Sequence, residues 1–176
     1  MDELTQIGLK YHTDKAYWHR YTEFYFSFFN QKKHDKLNIL EIGIAHGASI
    51  KMLLDFFPNA NIYCCDINEK YVNNISNYSE RISPFVCDCG NEKKLNELIK
   101  SLDITFDIII DDASHIPEHQ LISLNTLFPF VSKNGLFIVE DIHTSFGIDD
   151  IHQNMIYFLE NIKKYKNPLI DIDVYN

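Results

Sequence analysis

The chain contains little glycine and proline, with 6 and 5 of its 176 residues. It has no internal repeat and no stretch rich in Pro, Gly and Ser that would link two domains, so we expect one globular unit. No stretch approaches the roughly 18 uninterrupted apolar residues of a membrane helix. The first four residues, Met-Asp-Glu-Leu, lack the basic and then apolar layout of a signal peptide. These absences predict a cytoplasmic protein without membrane insertion.

Positive charge is also scarce, because 16 Lys and Arg face 25 Asp and Glu, which gives a formal net charge of −9 at pH 7. Proteins that bind nucleic acid over a broad surface need clustered Lys and Arg to neutralise the phosphates. The composition therefore predicts no nucleic-acid partner and favours a small or uncharged substrate.

Cysteine occurs only four times, in two tight pairs. Cys64 and Cys65 are adjacent, and Cys87 and Cys89 are separated by one residue, in each case near the end of a predicted strand. A zinc site is one interpretation, but neither pair has the two-residue gap that is usual in structural zinc sites. Reduced cysteines commonly pack as small buried hydrophobic residues, and we favour that interpretation.

The residues that are present predict an α/β fold. Hydrophobic residues make up 45% of the chain and aromatic residues 14%, which is sufficient for a core. From residue 37 onward, apolar runs of strand length alternate with helix-like stretches, the pattern of a doubly wound, mainly parallel sheet with helices on both faces. We predict strands at 37–42, 61–66, 83–88, 106–111 and 135–140. We predict helices at 48–57, 69–77, 91–101, 117–128 and 150–165.

The two ends of the chain depart from this alternation. Residues 1–36 are rich in aromatic side chains, and the run from Trp18 to Phe29 predicts one aromatic helix. We interpret residues 1–36 as a helical, aromatic segment that precedes an α/β domain at 37–176. Residues 168–175 alternate polar and apolar side chains and predict one more strand. Doubly wound sheets of the kind considered below usually have two further strands after the fifth, so we expect a sheet trimmed at its C-terminal strands.

The stretch 38–47 predicts a nucleotide-binding turn. Its apolar residues suit a strand buried on both faces, and Gly43 and Gly47 permit a tight turn before the helix predicted at 48–57. Asp66 ends the second predicted strand, about 20 residues past the turn, where a carboxylate can accept hydrogen bonds from both hydroxyls of a ribose. A nicotinamide cofactor would require glycine at the second and fifth positions after Gly43, but this chain has Ala45 and Ala48 there.

Glutamate two residues before Gly43 and glycine four residues after it resemble the first motif of class I S-adenosylmethionine-dependent methyltransferases. The resemblance implies a Rossmann-like fold in which the loop passes beside the methionine half of the cofactor. The residues that it assigns to S-adenosylmethionine are Glu41, Gly43 and Gly47 in the loop, Asp66 at the ribose, and Asp88 with Cys89 at the adenine. An alternative is that Asp66 or Asp88 only caps a turn or the next helix.

Acidic side chains and a histidine follow two later predicted strands. Asp111 and Asp112 end the strand at 106–111 and precede His115, while Glu140 and Asp141 end the strand at 135–140. Neighbouring strands lie about 5 Å apart, so these carboxylates would converge and repel one another, which would raise some of their pKa values. A divalent cation would relieve the repulsion, and oxygen ligands suit magnesium or manganese better than zinc. His115 could then accept the proton of a substrate hydroxyl held on the metal.

The motif Asp-Asp-x-Ser-His at 111–115, followed by Glu-Asp-x-His-Thr-Ser at 140–145, resembles the metal-dependent sugar O-methyltransferases that modify macrolides and related glycosides. His-Thr-Asp-Lys at 12–15 and Arg-Tyr-Thr-Glu-x-Tyr at 20–25 resemble the segment before the first strand in that group, so the resemblance spans most of residues 11–146. It implies S-adenosylmethionine and a divalent metal, which we expect to be Mg²⁺, as cofactors. By this resemblance, Asp112, Glu140 and Asp141 would bind the metal, and His115 would act as the general base. The residues that would close over the cofactor are Thr13, Lys15 and Tyr21. Asp111 would lie behind the metal or beside the methionine ammonium.

We therefore expect an enzyme that methylates a sugar hydroxyl, with residues 1–36 as a lid. The expected acceptors are a nucleotide sugar, a capsular or other cell-surface glycan, or a glycosylated small molecule. A catechol-type O-methyltransferase would use a similar metal site and is one alternative. A non-catalytic cofactor-binding subunit is another, because the open edge of a trimmed sheet invites pairing with another chain, a second copy included. Asp112 and Ser114 could also simply shape the turn before a helix that begins at Pro117, and His115 could be a packed loop histidine.

Overall fold

The computed structural model describes residues 1–142, which form seven α-helices and five β-strands. The helices are α1 (Glu3–Lys10), α2 (Asp14–Tyr17), α3 (Tyr21–Phe29), α4 (Ala48–Phe56), α5 (Glu69–Ile75), α6 (Glu92–Leu102) and α7 (Pro117–Leu127). The strands are β1 (Asn38–Ile42), β2 (Asn61–Asp66), β3 (Ile82–Val86), β4 (Phe106–Asp111) and β5 (Val131–Val139). Short 3-10 turns follow α3 at Asn30–Lys32 and α7 at Phe128–Phe130.

The strands form one parallel sheet in the order β3-β2-β1-β4-β5, which confirms the predicted doubly wound fold. The strand order reverses between β1 and β4, the place where open parallel sheets bind their ligands. Ile42 of β1 pairs with Cys65 of β2 and with Asp111 of β4, and Asp111 pairs in turn with Val139 of β5. The residues that follow these four strands therefore meet at one edge of the sheet.

Helices cover both faces of this sheet because the strands are apolar on both sides. Ile39 of β1 lies in a core that includes Leu53 of α4, whereas Leu40 and Ile42 lie in a second core with Leu95 of α6. Full burial of an aliphatic side chain of this size stabilises a fold by about 1.5–3 kcal/mol. The two cores fix the strands in place, so the loops at the edge of the sheet extend from a rigid scaffold.

Residues 1–36 pack on the α4 side of the sheet. Leu4 of α1 and Phe29 of α3 are fully buried and share their core with the strand residues. The aromatic helix is shorter than predicted, because Arg20 has a φ of 58° in the left-handed region and α3 begins only at Tyr21. The function of this segment as a lid stays a prediction.

The predicted helix and strand bounds agree with the structure to within a few residues, except at β5. This strand begins at Val131 rather than at 135, because Val131 pairs with Phe106 before the register shifts and Leu136 pairs with Ile108. The helix predicted at 150–165 and the strand predicted at 168–175 lie outside the described residues, as does the question of a trimmed sheet. Within residues 1–142, no helix is long and apolar enough to cross a membrane.

Candidate functional site

Two glycines with positive φ angles shape the loop after β1. Gly43 has a φ of 97°, and a Cβ atom at this position would overlap the backbone carbonyl oxygen of Asp112. Gly47 has a φ of 75° and immediately precedes α4. The sequence predicted that Gly43 permits a tight turn, and in the structure the backbone after β4 also lies close to this glycine. The loops after β1 and β4 therefore touch directly.

The carboxylates that end β2 and follow β3 both shape local turns. Asp66 Oδ2 accepts hydrogen bonds from two backbone N–H groups of the glycine loop, those of Ile44 at 2.8 Å and Ala45 at 3.2 Å. Asp88 Oδ1 accepts a hydrogen bond from the backbone N–H of Gly90 at 3.1 Å. The contact of Asp88, and a further hydrogen bond from the backbone N–H of Asn68 to Asp66 Oδ1 at 2.8 Å, match the capping alternative, but both side chains are only half-buried at the edge of the crevice. Their binding to a ribose and an adenine stays a prediction.

A fully buried lysine lies among carboxylates from three strand ends. Lys15 of α2 is 1% exposed, and its Nζ donates to both carboxylate oxygens of Glu140 at 2.7 Å and to Asp112 Oδ2. Glu41 of β1 is fully buried, and its Oε1 lies 3.6 Å from the same Nζ. Tyr25 of α3 donates a further hydrogen bond to Glu140. The short helix α2 thus places one cation where β1, β4 and β5 end.

The pKa values in this cluster follow from burial and from the three negative charges. Burial alone would lower the pKa of Lys15, but the surrounding carboxylates, Glu140 first, raise it above its ordinary value, and the ammonium stays protonated. Burial raises the pKa of Glu41 to about 7, and Lys15 opposes this rise. Burial also raises the pKa of Glu140 against the effect of Lys15. One lysine does not balance three carboxylates, so the cluster can take up either a proton or an additional cation.

Among residues 1–142, Asp112, His115 and Asp141 form a group that could hold a metal ion, with one ligand atom each within 4.8 Å of one another. His115 Nε2 lies 3.8 Å from Asp112 Oδ1 and 3.5 Å from Asp141 Oδ2. Tyr21 donates a hydrogen bond of 2.6 Å to Asp141 Oδ1, and burial together with this bond raises the pKa of Tyr21. The two carboxylates, both half-buried, supply the oxygen ligands that a small divalent cation such as Mg²⁺ or Mn²⁺ prefers, and the imidazole lies beside them.

Backbone strain coincides with this group. His115 has a φ of 56° and Asp141 a φ of 55°, both in the left-handed region that side chains other than glycine rarely adopt. Such a conformation costs about 1–3 kcal/mol and is concentrated at functional sites. Five other non-glycine residues within residues 1–142 share this region, namely His12, Arg20, Ala45, Asp103 and Asn134, so the strain does not decide between a functional site and an ordinary turn.

Helix α7 supports the site from behind. Asp111 is 3% exposed and accepts a hydrogen bond from Ser123 Oγ, and burial raises the pKa of Asp111 to about 6. Gln120 donates from Nε2 to the carbonyl oxygen of Glu140 at 3.0 Å. The ends of β4 and β5 are therefore both tied to α7, with Asp111 behind the candidate metal group.

Two further predicted cofactor residues are buried in the structure. Thr13 is 2% exposed and packs beside Gly8 of α1. Cys89 is buried, with its Sγ 3.5 Å from the Sγ of Cys65. All four cysteines are buried and free of disulfides, as the interpretation as small hydrophobic residues predicted.

Three residues of the site were not singled out from the sequence, namely Tyr25, Ser123 and Gln120. Tyr25 ends the Arg-Tyr-Thr-Glu-x-Tyr motif, so the signal was present. The other two lie on α7 without any motif, and only the docking of that helix against β4 and β5 brings them to the site.

Comparison with known proteins adds an independent observation. A family of methyltransferase domains matches residues 40–142. The chain is 35% identical over 155 residues to demethylmacrocin O-methyltransferase of Streptomyces fradiae, with 82% of this chain and 37% of that protein covered. It is 30% identical over 173 residues to 8-demethyl-8-alpha-L-rhamnosyl tetracenomycin-C 2'-O-methyltransferase of Streptomyces olivaceus, with 90% of this chain and 44% of that protein covered.

The chain is also similar to a solved methyltransferase structure. The MycE methyltransferase from the mycinamycin biosynthetic pathway, in complex with Mg, SAH and mycinamycin VI, superposes with a TM-score of 0.81 at 27% identity. The match covers 93% of this chain and 48% of that one, so the chain spans less than half of each of these three proteins. The resemblance that the motifs indicated is confirmed by these matches.

Proposed function

Because the chain belongs to the methyltransferase-domain family, we propose that it transfers a methyl group from S-adenosylmethionine to a sugar hydroxyl with the assistance of a divalent cation. The observation that carries the proposal is the convergence of Asp112, His115 and Asp141 where β4 and β5 end, beside the glycine loop of β1. The names of the relatives support an O-methyltransferase, and the Mg and SAH of the MycE complex support the same cofactors here.

The crevice between the ends of β1, β2 and β3 would hold the methyl donor. The glycine loop lacks the spacing for a pyrophosphate, which favours S-adenosylmethionine over a dinucleotide. The half-buried position of the carboxylates at the ends of β2 and β3 leaves them beside this crevice. The residues that we assign to the cofactor are Glu41, Gly43, Gly47, Asp66, Asp88, Cys89 and Asp111, with Thr13 from the N-terminal segment.

The cation would bind to Asp112 and Asp141, with Glu140 as a third predicted ligand next to Lys15. When bound, the cation supplies positive charge that lowers the pKa of the acceptor hydroxyl, and S-adenosylmethionine supplies the methyl group. His115 accepts the hydroxyl proton at Nε2, the ring nitrogen that faces both aspartates. The buried Lys15 keeps the surrounding carboxylates in place while the proton moves.

A sugar acceptor is favoured over a catechol because the relative from Streptomyces olivaceus is named for a rhamnosyl group. A nucleotide sugar, a cell-surface glycan or a glycosylated small molecule would all present the required hydroxyl. The cytoplasmic location, the lack of a nucleic-acid partner and the formation of homo-oligomers stay predictions.

The test is a screen of nucleotide sugars and glycan fragments with S-adenosylmethionine and Mg²⁺, read by a mass increase of one methyl group. We expect His115→Ala to abolish turnover while its affinity for S-adenosylhomocysteine stays within a few-fold. Asp112→Asn should lose the response to Mg²⁺. His34→Ala, at an exposed position away from the site, is the matched control and should keep its activity.

Two results would contradict the proposal. Failure of the wild-type chain to bind S-adenosylmethionine, measured by calorimetry, would remove both enzyme hypotheses. Cofactor binding without metal-dependent turnover on any acceptor would favour the non-catalytic subunit instead.

A further inference from the structure

The N-terminal segment donates hydrogen bonds to all three carboxylates predicted to bind the metal. Tyr21 donates to Asp141 Oδ1 at 2.6 Å. Lys15 donates to Asp112 Oδ2 and to both oxygens of Glu140. These donors come from α2 and α3, at least 97 residues before the acceptors in the sequence.

In Asp112 and in Asp141, one carboxylate oxygen accepts a hydrogen bond from the N-terminal segment and the other oxygen lies near His115. Tyr21 contacts Oδ1 of Asp141, while Oδ2 of the same side chain lies 3.5 Å from His115 Nε2. Lys15 contacts Oδ2 of Asp112, while Oδ1 lies 3.8 Å from the same ring nitrogen. A carboxylate turns about a single bond, so a fixed donor on one oxygen sets the direction of the other. In both aspartates the second oxygen faces the candidate metal group.

The donors themselves are held by packing. Lys15 is 1% exposed and Tyr25 2% exposed, so neither side chain can move without a rearrangement of the core. The ring of Tyr21 stacks on that of His19, with centroids 5.1 Å apart and planes inclined by 18°. Tyr25 packs against Phe29 with centroids 5.0 Å apart. A rigid aromatic helix is a suitable frame for orienting groups at a site.

We propose that Lys15, Tyr21 and Tyr25 are positioning residues for the metal-binding carboxylates rather than ligands of the cofactor. The inference rests on the proposed function, since it concerns the same cation site. Residues that hydrogen-bond to metal ligands orient them, and their replacement typically weakens metal binding or activity 10–100-fold. The segment before β1 would then be part of the metal site itself.

Tyr21→Phe tests the proposal without a change of charge, because it removes only the hydroxyl that contacts Asp141. A change in cation affinity therefore reports the orientation of the carboxylate rather than Coulomb attraction. Mn²⁺ binding to the full chain is measured by electron paramagnetic resonance of the free ion, and S-adenosylhomocysteine binding by calorimetry. We expect Mn²⁺ affinity to fall by about 10-fold, with cofactor affinity unchanged within a factor of about two.

Tyr11→Phe is the matched control, because Tyr11 donates to Asp55 Oδ2 at 3.3 Å on the exposed side of α4. It should leave both affinities unchanged. Tyr25→Phe removes the hydroxyl on Glu140 and should weaken Mn²⁺ binding in the same direction. This second variant carries the test if Tyr21→Phe does not fold, as judged by circular dichroism.

The outcomes separate the inference from the proposed function. Wild-type Mn²⁺ affinity in both Tyr21→Phe and Tyr25→Phe overturns the positioning function and leaves the metal-assisted reaction intact. Weakened cofactor binding with unchanged Mn²⁺ binding makes Tyr21 a cofactor ligand and also overturns the inference. A wild-type chain that binds no Mn²⁺ overturns the metal-assisted function itself.

Discussion

Replacement of Lys15 by methionine removes the cation at the centre of the carboxylate cluster while it keeps an unbranched side chain of similar length. Lys15 is 1% exposed and contacts Asp112, Glu140 and, at 3.6 Å, Glu41. Methionine can fill the space of the lysine stem. The substitution therefore isolates the loss of one buried positive charge.

The expected cost is large because the carboxylates remain buried. Removal of one partner from a buried ion pair typically destabilises a protein by about 3–5 kcal/mol. Lys10→Met provides the control, since Lys10 and Asp55 form an ion pair of 2.7 Å with side chains 61% and 40% exposed. Exposed ion pairs contribute little to stability, so Lys10→Met should leave the free energy of unfolding close to that of wild type, well above that of Lys15→Met.

The sign of the pH dependence follows from the carboxylates. Burial raises the pKa of Glu41 to about 7 and also raises that of Glu140, and loss of Lys15 raises both further. The unfolded chain releases the protons of these glutamates above about pH 4.5, whereas folded Lys15→Met keeps them up to a higher pH. The free energy of unfolding of this variant therefore falls as the pH rises. The deficit relative to wild type should be smallest near pH 5 and largest near pH 8.

Urea unfolding at pH 5 and pH 8, followed by circular dichroism at 222 nm with divalent cations chelated, measures these differences. The double variant Lys15→Met/Glu140→Gln removes one of the stranded charges and should recover part of the loss at pH 8. The reasoning fails if Lys15→Met costs no more than Lys10→Met, or if its deficit is the same at both pH values.

Two further predictions concern the scaffold. Gly43→Ala should cost about 1–2 kcal/mol for its backbone and roughly 1–3 kcal/mol more for overlap with the Asp112 carbonyl, and it should weaken Mn²⁺ binding. Gly47→Ala meets only a flexible side chain and should incur the first cost alone; equal costs in urea unfolding would contradict this account. Arg81→Lys loses guanidinium hydrogen bonds of 2.8–2.9 Å to three carbonyl oxygens at the end of α4 and in the turn that follows. It should lower stability by about 1–3 kcal/mol with unchanged Mn²⁺ and cofactor affinities, and a loss of either affinity would show that scaffold and site are not separate.

The strands and their edge were predictable because a parallel sheet repeats one local pattern. The strands β1 to β4 are runs of five or six mainly apolar residues. An acidic residue ends β2 and another ends β4. Periodicity detects such runs directly. The meeting of Asp112 and Asp141 at one edge then follows from the parallel order of β4 and β5.

The contacts of the N-terminal segment were not predictable in the same way. The resemblance predicts that Lys15 and Tyr21 close over the cofactor, which stays a prediction, and it does not indicate their hydrogen bonds to Glu140, Asp112 and Asp141. Lysine is rarely fully buried, and no local pattern indicates which carboxylates compensate it more than 90 residues away. The break at Arg20 was equally hidden, since a left-handed residue other than glycine carries no sequence signal.

The contact between Gly43 and the backbone of Asp112 has a thermodynamic consequence. The loop assigned to the methyl donor and the loop assigned to the cation are held together, because the backbone N–H of Asp112 donates to the carbonyl oxygen of Ile42 at 2.9 Å and the carbonyl oxygen of Asp112 packs against Gly43. A ligand that restricts the positions of one loop therefore also restricts the positions of the other loop. By thermodynamic linkage this coupling is reciprocal. If the bound cation changes the affinity for the methyl donor by some factor, the bound methyl donor changes the affinity for the cation by the same factor.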